Sequence, residues 1–580
     1  MKKRYVLIIL VLLAIFIFGY ISYTGKAIYE ETEKIDIKQA EAFILLQPNS
    51  DKSKEVASLL QQEGAKVRYI TEEAIIATNI PASLFQNENV KNIYFNGNIP
   101  ALENKYQQQT IILAQAFAEG NTPRDETLPE ILDFFIEDDV RRRGEVNEGG
   151  PVFKGTTSSY CDSPGTGTAV NAGFCDTTEF MAGDVAIAII LMESNGAIDN
   201  ETEDWNASEK AQVTSEIINS LDWWIDRADE NDIPLTFHPQ FYYDVPTSYE
   251  PINHNSMTGP TCSYYGDEYL WKNEAFDYFG ITEDCIEGEY ILVNNLREEQ
   301  NTDWAFTIFV VDSSNDINGK FNDGYFAYAW LGGPSFIMTL DNGIYGAEKM
   351  ETISAHEMGH TFWALDQYGS CTCTQLSGYL NVENQNCNNE CSSDEFSLMR
   401  SSFEAYQNGQ IDSYAKQQIG WRYLAYWMIP DVLFTSPAIQ VNEYEPNPTY
   451  DTELTLNGVT NEVEGYPNNN YYHTNWPSVY GPLHDISVND IEKVEFKHNG
   501  GIWQEADLIY EPEFAQYSFS VTPSKSTNGV TNTFKIKSTN SVGMESDSVS
   551  EEVIVKSKTK KKRLTEISLP GGLIFNLPWQ

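Results

Sequence analysis

His356-Glu357-Met358-Gly359-His360 decides the reading of this 580-residue chain. On a helix, residues four apart lie roughly 40° from one another around the axis and about 6 Å along it, so both imidazoles can reach one point. The preceding run Glu348-Lys349-Met350-Glu351-Thr352-Ile353-Ser354-Ala355 reads as helix. Two imidazoles converging on one point suit a divalent cation, Zn²⁺ first among those that favour nitrogen donors. Glu357 projects beside that point, where a carboxylate can take a proton from a metal-activated water. Asp366 follows in Thr361-Phe362-Trp363-Ala364-Leu365-Asp366-Gln367-Tyr368. On an unbroken helix Asp366 would lie about 15 Å along the axis from His356 and on another face. It can supply a third ligand only if the chain turns sharply after His360.

Downstream, Ser397-Leu398-Met399-Arg400 reads as a tight turn carrying a methionine. Together these residues resemble the metzincin zinc proteases, in which the helix breaks, a third ligand follows and a methionine turn floors the site. With an aspartate in third place and a tyrosine nearby, the segment looks most like the snapalysin-type branch. The resemblance implies His356, His360 and Asp366 as zinc ligands, Glu357 as general base and Met399 beneath the metal. It departs from the pattern in two places. Trp363 stands where the family carries the glycine of the turn, and a bulky residue at positive φ is strained. The expectation is therefore that the turn is made in another way, or that Glu383, Glu390, Asp394 or Glu395 is the third ligand. Ser401 stands where related enzymes carry a tyrosine, which leaves Tyr368 and Tyr406 as candidate transition-state stabilisers.

Lys and Arg number 37 against 85 Asp and Glu, a net charge of −48 with a pI near 4.3. That balance argues against nucleic acid as a partner and for a soluble, self-repelling surface outside the cytoplasm. Residues 1–25 hold a basic start, Met1-Lys2-Lys3-Arg4, and an apolar run from Tyr5 to Tyr23. Such a run serves as a signal peptide or spans a bilayer; a retained anchor is the favoured reading, which leaves the rest extracellular or at the cell surface. The cysteines agree. Cys161, Cys175, Cys262, Cys285, Cys371, Cys373, Cys387 and Cys391 all follow the apolar run, and an even set in an exported chain reads as disulfides. The rival is a second zinc site at Cys371-x-Cys373 and Cys387-x₃-Cys391.

A chain of this length should form several domains. Residues 38–100 alternate strand and helix as β-α-β-β-α-β, a ferredoxin-like order similar to the inhibitor-type propeptides that cap secreted proteases. Residues 101–183 read as a linker or pro-region, in which Arg141-Arg142-Arg143 is either a processing site or a solvated charge cluster. The metalloprotease domain is expected over 184–430. Its strands include Val185–Met192, Leu235–Tyr243, Ala305–Val311, Tyr325–Trp330 and Ser335–Leu340, and Ser208–Asn231 reads as a long helix. Tyr325–Trp330 is the expected edge strand on which an extended peptide would add by backbone hydrogen bonds. Asp312-Ser313-Ser314-Asn315-Asp316-Ile317-Asn318-Gly319 resembles half a Ca²⁺ loop without the acidic residue at its twelfth position, leaving structural Ca²⁺ or a plain Asn/Asp/Gly turn. Residues 431–556 carry short alternating strands and resemble an immunoglobulin-like or fibronectin-like β-sandwich, followed by a basic tail, 557–580.

The expected class is α+β: a metzincin-like catalytic domain with a mixed sheet and active-site helix, a ferredoxin-like N-terminal module and a C-terminal sandwich. The expected function is an exported zinc endopeptidase made as a zymogen, acting on protein or peptide and held latent by its own propeptide. The alternative from another class is a cell-surface adhesion or envelope protein with a non-catalytic zinc domain. Glu357 weighs against it, since a binding module has no need of a base.

Overall fold

An apolar run with no polar alternation, Val185 to Met192, must be covered on both faces. The computed structural model describes residues 40–48, 52–95, 99–102, 105–120, 139–141, 160–256, 262, 266–343, 345–388, 390–400, 402–423, 429–451, 453–462, 465–511, 516–522 and 531–556. In it that run is the centre of a ten-stranded sheet. The strands are β1 (Ala42–Leu46), β2 (Lys66–Ile70), β3 (Ala74–Thr78), β4 (Val90–Phe95), β5 (Asp139–Arg141), β6 (Gly183–Ser194), β7 (Leu235–Thr247), β8 (Trp304–Val311), β9 (Ala327–Trp330) and β10 (Ser335–Thr339). Their order across the sheet is β4-β1-β3-β2-β7-β6-β8-β10-β9-β5. The middle, β7, β6, β8 and β10, is parallel, and β9 runs antiparallel to β10. The class is α+β with a large mixed sheet and several small ones.

The N-terminal strands keep the order β4-β1-β3-β2, but β2 does not end the sheet. It pairs in parallel with β7 at Tyr69–Phe237. The joint is charged: Arg68 meets Asp222 at 2.8 Å and Asp226 at 2.9 Å, and the Tyr69 hydroxyl donates to Asp222 at 2.7 Å. At the far end, β5 pairs in parallel with β9 through Asp139–Tyr328, Val140–Ala329 and Arg141–Trp330. The edge expected to be open to a peptide is therefore taken by the chain's own residues 139–141.

Helices cover both faces. Besides α1 (Ser53–Gln62) and α2 (Gln108–Gly120), one finds α3 (Ala207–Glu230), α4 (Glu268–Tyr278), α5 (Cys285–Gln300) and α6 (Met350–Thr361). Ala186, Ala188, Ile190 and Met192 point to one face, where they pack with Trp271, Phe276, Val293 and Leu296 of α4 and α5. Side chains alternate along a strand, so the intervening positions face the other layer, built from α3 and α6. These two helices are joined by the Trp224 indole donating to the Ala355 carbonyl (2.9 Å) and by Ser220–Ser354 (2.9 Å). Asn206 starts α3 with a full capping box closed by Glu209.

The chain divides into two compact units: residues before Leu433 together with Pro467–Val488, and Leu433–Tyr466 together with residues from Asn489 on. The second holds two four-stranded antiparallel sheets, 438–441/456–461/516–521/507–511 and 491–498/504–505/531–540/549–554. Their facing residues, among them Leu456, Phe519, Val494, Phe496, Phe534 and Val553, form one core. Pro467–Val488 was expected within the sandwich and belongs instead to the first unit. Among the described residues no helix is long and apolar enough to cross a membrane. The 1–25 segment, Arg142–Arg143 and the 557–580 tail lie outside the described residues.

Candidate metal centre

The end of α6 is unusual for its sequence. Trp363 takes φ +78°, a left-handed conformation that costs an L-residue about 1–2 kcal/mol. Its N–H donates to the His360 carbonyl (2.9 Å) and the Ala364 N–H to the Gly359 carbonyl (2.9 Å), the two closing bonds of a Schellman turn. Packing holds the indole in glycine's place. It is buried among Leu331, Leu365, Tyr472 and Tyr480, and a Cβ at Gly332 would come within 2.2 Å of its ring. The expectation that a tryptophan forbids this turn is thus corrected: Trp363 takes the backbone conformation and Gly332 gives the space.

The turn brings Asp366 back to the helix. His356 Nε2 and His360 Nε2 are 3.0 Å apart, and Asp366 Oδ1 lies 3.3 Å from the first and 3.2 Å from the second. Ligand atoms about 2.0–2.1 Å from a zinc ion at tetrahedral angles lie roughly 3.3 Å apart, so the triangle has the size of one ion's ligand shell. The far side of each ring decides its character. His356 Nδ1 lies 3.0 Å from the Leu398 carbonyl and His360 Nδ1 2.7 Å from the Ala364 carbonyl. A carbonyl only accepts, so Nδ1 carries the proton in both rings. As neutral imidazoles they then turn both Nε2 lone pairs toward each other and toward a carboxylate. Three acceptors so placed repel unless a cation lies among them, which is the physical reason these residues fit a metal. Burial pushes the Asp366 carboxyl up; a proton on the Nε2 atoms of His360 and His356 would outweigh it and hold the group well below the usual carboxylate range.

The floor is built by the turn that supplies the Leu398 carbonyl. Met399 is fully buried, and a Cβ at Gly359 would lie 2.8 Å from its sulfur. Glycine at that place therefore lets the methionine close on the helix. The Gln367 N–H donates to the Met399 carbonyl (2.9 Å). Asp412 ties the same pieces together, accepting from Ser397 Oγ (2.7 Å) and Gln367 Nε2 (2.8 Å) while capping the helix Ser413–Gln418 through the Tyr414 and Ala415 N–H groups. Burial raises its carboxyl above the ordinary value despite these bonds. Sequence reasoning missed Asp412 and Gln367, for they lie outside any spacing rule.

No family model matches the chain, and no curated protein does. Among solved structures it is similar to the sulfane dehydrogenase SoxCD of Paracoccus pantotrophus, at 14% identity over 18% of this chain and 23% of that one, with a TM-score of 0.12. It is also similar to Astrotactin-2, a vertebrate-specific, perforin-like membrane protein, at 10% identity over 26% of this chain and 31% of that one, with a TM-score of 0.16. The chain spans less than a third of either, and neither likeness carries a functional argument.

The remaining candidates fall as follows. Glu357 is fully buried on α6 between the two histidines. The Tyr368 ring lies 6.1 Å from that of His356. Tyr406 is turned to α3, its hydroxyl donating to the Asn219 carbonyl (3.2 Å) and its ring stacked on Trp223 at 5.6 Å. Asp394 pairs with Arg400 at 2.6 Å and is 91% exposed, Glu395 accepts from the Ser413 backbone and hydroxyl, and Glu383 accepts from Gln385. Glu390 is exposed. Among the described residues the carboxylate grouped with the two imidazoles is Asp366. The cysteines pair as Cys161–Cys175, Cys262–Cys285, Cys371–Cys387 and Cys373–Cys391. That corrects the alternative of a second zinc site at Cys371–Cys391: its sulfurs form two interleaved crosslinks over a loop with little core of its own. In the 312–319 loop the carboxylates of Asp312 and Asp316 accept from their own loop's N–H groups, at Ser314, Asn318 and Gly319. Two further groups converge among the described residues, buried Asp176–Glu179–His473 and the more exposed Glu193–Glu201–Asp204.

Proposed function

We propose that the first unit is an exported, metzincin-like, zinc-dependent endopeptidase made as a zymogen. The observation that carries this reading is the convergence of two imidazoles, each with Nδ1 tied to a carbonyl, and one carboxylate on a single point, with Glu357 in the same helical turn. His356, His360 and Asp366 would hold the ion. When bound, zinc supplies Lewis acidity, polarising a scissile carbonyl and acidifying water toward neutral pH. Glu357 takes the proton released as water attacks and passes it to the departing amine, so the carboxylate is regenerated each turnover. Tyr368, beside the His356 ring, is the candidate for stabilising the developing oxyanion.

An extended substrate would add to β9, whose backbone groups demand little of its side chains. The parallel pairing of 139–141 with that strand supports latency, because substrate and pro-segment compete for one edge. It also favours 139–141 over the 38–100 module as the blocking element. The module's strands lie at the other end of the sheet, with β7, β6, β8 and β10 between β2 and β9. The Arg141–Arg143 run is then a place where cleavage would free the edge. Paired cysteines and the apolar N-terminal run support an extracellular setting, with the N-terminal segment as anchor where it is retained. The test is to measure bound zinc and hydrolysis of an unstructured protein such as casein by the full chain, before and after cleavage at the arginine run. A chain that holds no zinc and cleaves nothing after processing rejects the proposal.

A further inference from the structure

Between the strands 456–461 and 491–498 of the second unit, the chain contributes Pro467–Val488 to the first. The segment is sewn down along its length. The Asn469 N–H donates to the Tyr379 carbonyl (2.9 Å), and the Ile486 N–H donates to the Tyr379 hydroxyl (2.8 Å). Val170 and Ser487 exchange backbone bonds of 2.9 and 3.3 Å. His484 Nδ1 lies 2.6 Å from Asp176 Oδ2. Two short helices, Tyr471–Asn475 and Pro477–Tyr480, form its centre, the first capped by Asn470.

What this centre touches is the turn after α6. Tyr472, His473 and Tyr480 surround Trp363 with ring centroids at 5.6, 5.6 and 5.5 Å. Their own anchor is a buried ion pair. His473 Nε2 lies 3.0 Å from Glu179 Oε1 and its Nδ1 3.2 Å from the Gly481 carbonyl, with Asp176 Oδ1 4.0 Å away. Both ring nitrogens therefore face acceptors, and the ring is an imidazolium with no lone pair left for a metal. Burial works against that charge, but the Glu179 and Asp176 carboxylates more than offset it and raise the group to about 9.

Trp363 must stay left-handed for Asp366 to return to the helix, and nothing within the turn selects that conformation for an indole; the strain persists because the surroundings over-determine it. We infer that Pro467–Val488 is a brace for the metal centre, in which His473, fixed by Glu179, is a positioning residue that walls Trp363 into its strained turn and thereby sets Asp366 against His356 and His360. This rests on the zinc-site reading above and adds to it a dependence on chain from beyond the catalytic segments.

The experiment uses the full chain and measures zinc affinity by chelator competition, with turnover at limiting and saturating zinc. His473→Gln is expected to weaken zinc binding by ~10–100-fold, the range of lost outer-shell support, with turnover recovering when zinc saturates. Glu179→Gln combined with His473→Gln should recover most of the affinity, because it removes the stranded charge along with its partner. If His473→Gln cannot be obtained folded, Tyr480→Leu, which keeps the ion pair but opens one wall around Trp363, should weaken zinc binding in the same direction. Parent-like zinc affinity in a folded single variant overturns the brace, and so does a double variant no better than the single one. A parent chain that binds no zinc overturns the zinc reading itself, and the brace with it.

Discussion

Two buried groups in the first unit combine histidine with carboxylate, His356–His360–Asp366 and Asp176–Glu179–His473, and they are built for opposite purposes. In the first, each ring gives Nδ1 to a carbonyl and keeps Nε2 for the centre. In the second, His473 has an acceptor at both nitrogens, which makes it a cation. Burial is almost the same, but the first has two histidines to one carboxylate and the second one histidine to two carboxylates. The difference lies in the partner of the second ring nitrogen, which fixes whether a histidine offers a lone pair or a charge. The second group touches the turn that follows the first, His473 lying 5.6 Å from Trp363, and on the inference above it supports the first through that contact.

The largest expected effect comes from removing a carboxylate from the first group. Asp366→Ala should cut zinc affinity by more than the ~100-fold loss that outer-shell changes can cause, with the fold retained. The comparison breaks if zinc binding survives that change and falls instead on removal of Glu383, Glu390, Asp394 or Glu395. Next is Glu357→Gln, expected to keep zinc and thermal stability while lowering turnover by at least ~10²-fold, the scale of general-base catalysis. Equal activity of parent and variant on casein would leave the first group as a metal site without chemistry.

The two histidines of this site were legible in the sequence from their spacing, while Asp366 came with the metzincin resemblance and stood beside Glu383, Glu390, Asp394 and Glu395 as alternatives. The turn was not legible in the same way. A rule about φ argued against Trp363, and what answers the rule is Gly332 on the β9–β10 connection together with Tyr472 and Tyr480 more than a hundred residues away. No local pattern carries that information. The helices α4 and α5 also lack a clean apolar stripe, for a physical reason. Lys272 and Glu289, both fully buried, pair at 2.7 Å, and Glu289 also accepts from Tyr269 (2.8 Å). Charged residues on an inner face blur the 3.6-residue period from which helices are read. The strands β6 and β8 were plain because burial on both faces leaves an unbroken apolar run. Their merger with the N-terminal strands was not, since the β2–β7 joint rests on a single register and on Arg68 ion pairs that any surface charge could imitate.

A pH series sharpens the contrast at the second group. Burial and the neighbouring His484 work against the charge on His473, while Glu179, Asp176 and the Gly481 carbonyl more than offset them and raise it from 6.5 to about 9; Arg297 shares the same two carboxylates. A pKa raised on folding stabilises fully below the unfolded value and is lost as pH climbs through the folded one. The parent should therefore lose about 3 kcal/mol of stability between pH 6.5 and 9.5 from this group. Denaturant midpoints across that range should fall less steeply in the Glu179→Gln, His473→Gln double variant. Identical slopes would mean that His473 is not the cation the geometry makes it.

The smallest expected effect is none at all, and it separates the two groups most cleanly. In His360→Ala the first group has lost a ligand, while Asp176, Glu179 and His473 are untouched. An ion that binds only the folded state stabilises it by about 2.7 kcal/mol at a hundredfold excess over its dissociation constant. The parent should thus show a rise in thermal midpoint with added zinc, and His360→Ala should show no rise over the same concentrations. Zinc can compete for His473 only by displacing a proton, and it would have to break the bond to the Glu179 carboxylate or to the Gly481 carbonyl to reach a lone pair. A residual zinc-dependent rise in His360→Ala that disappears on adding His473→Gln would show that this displacement occurs. The second group would then be a metal site in its own right, and the assignment of lone pair to one and charge to the other would fail.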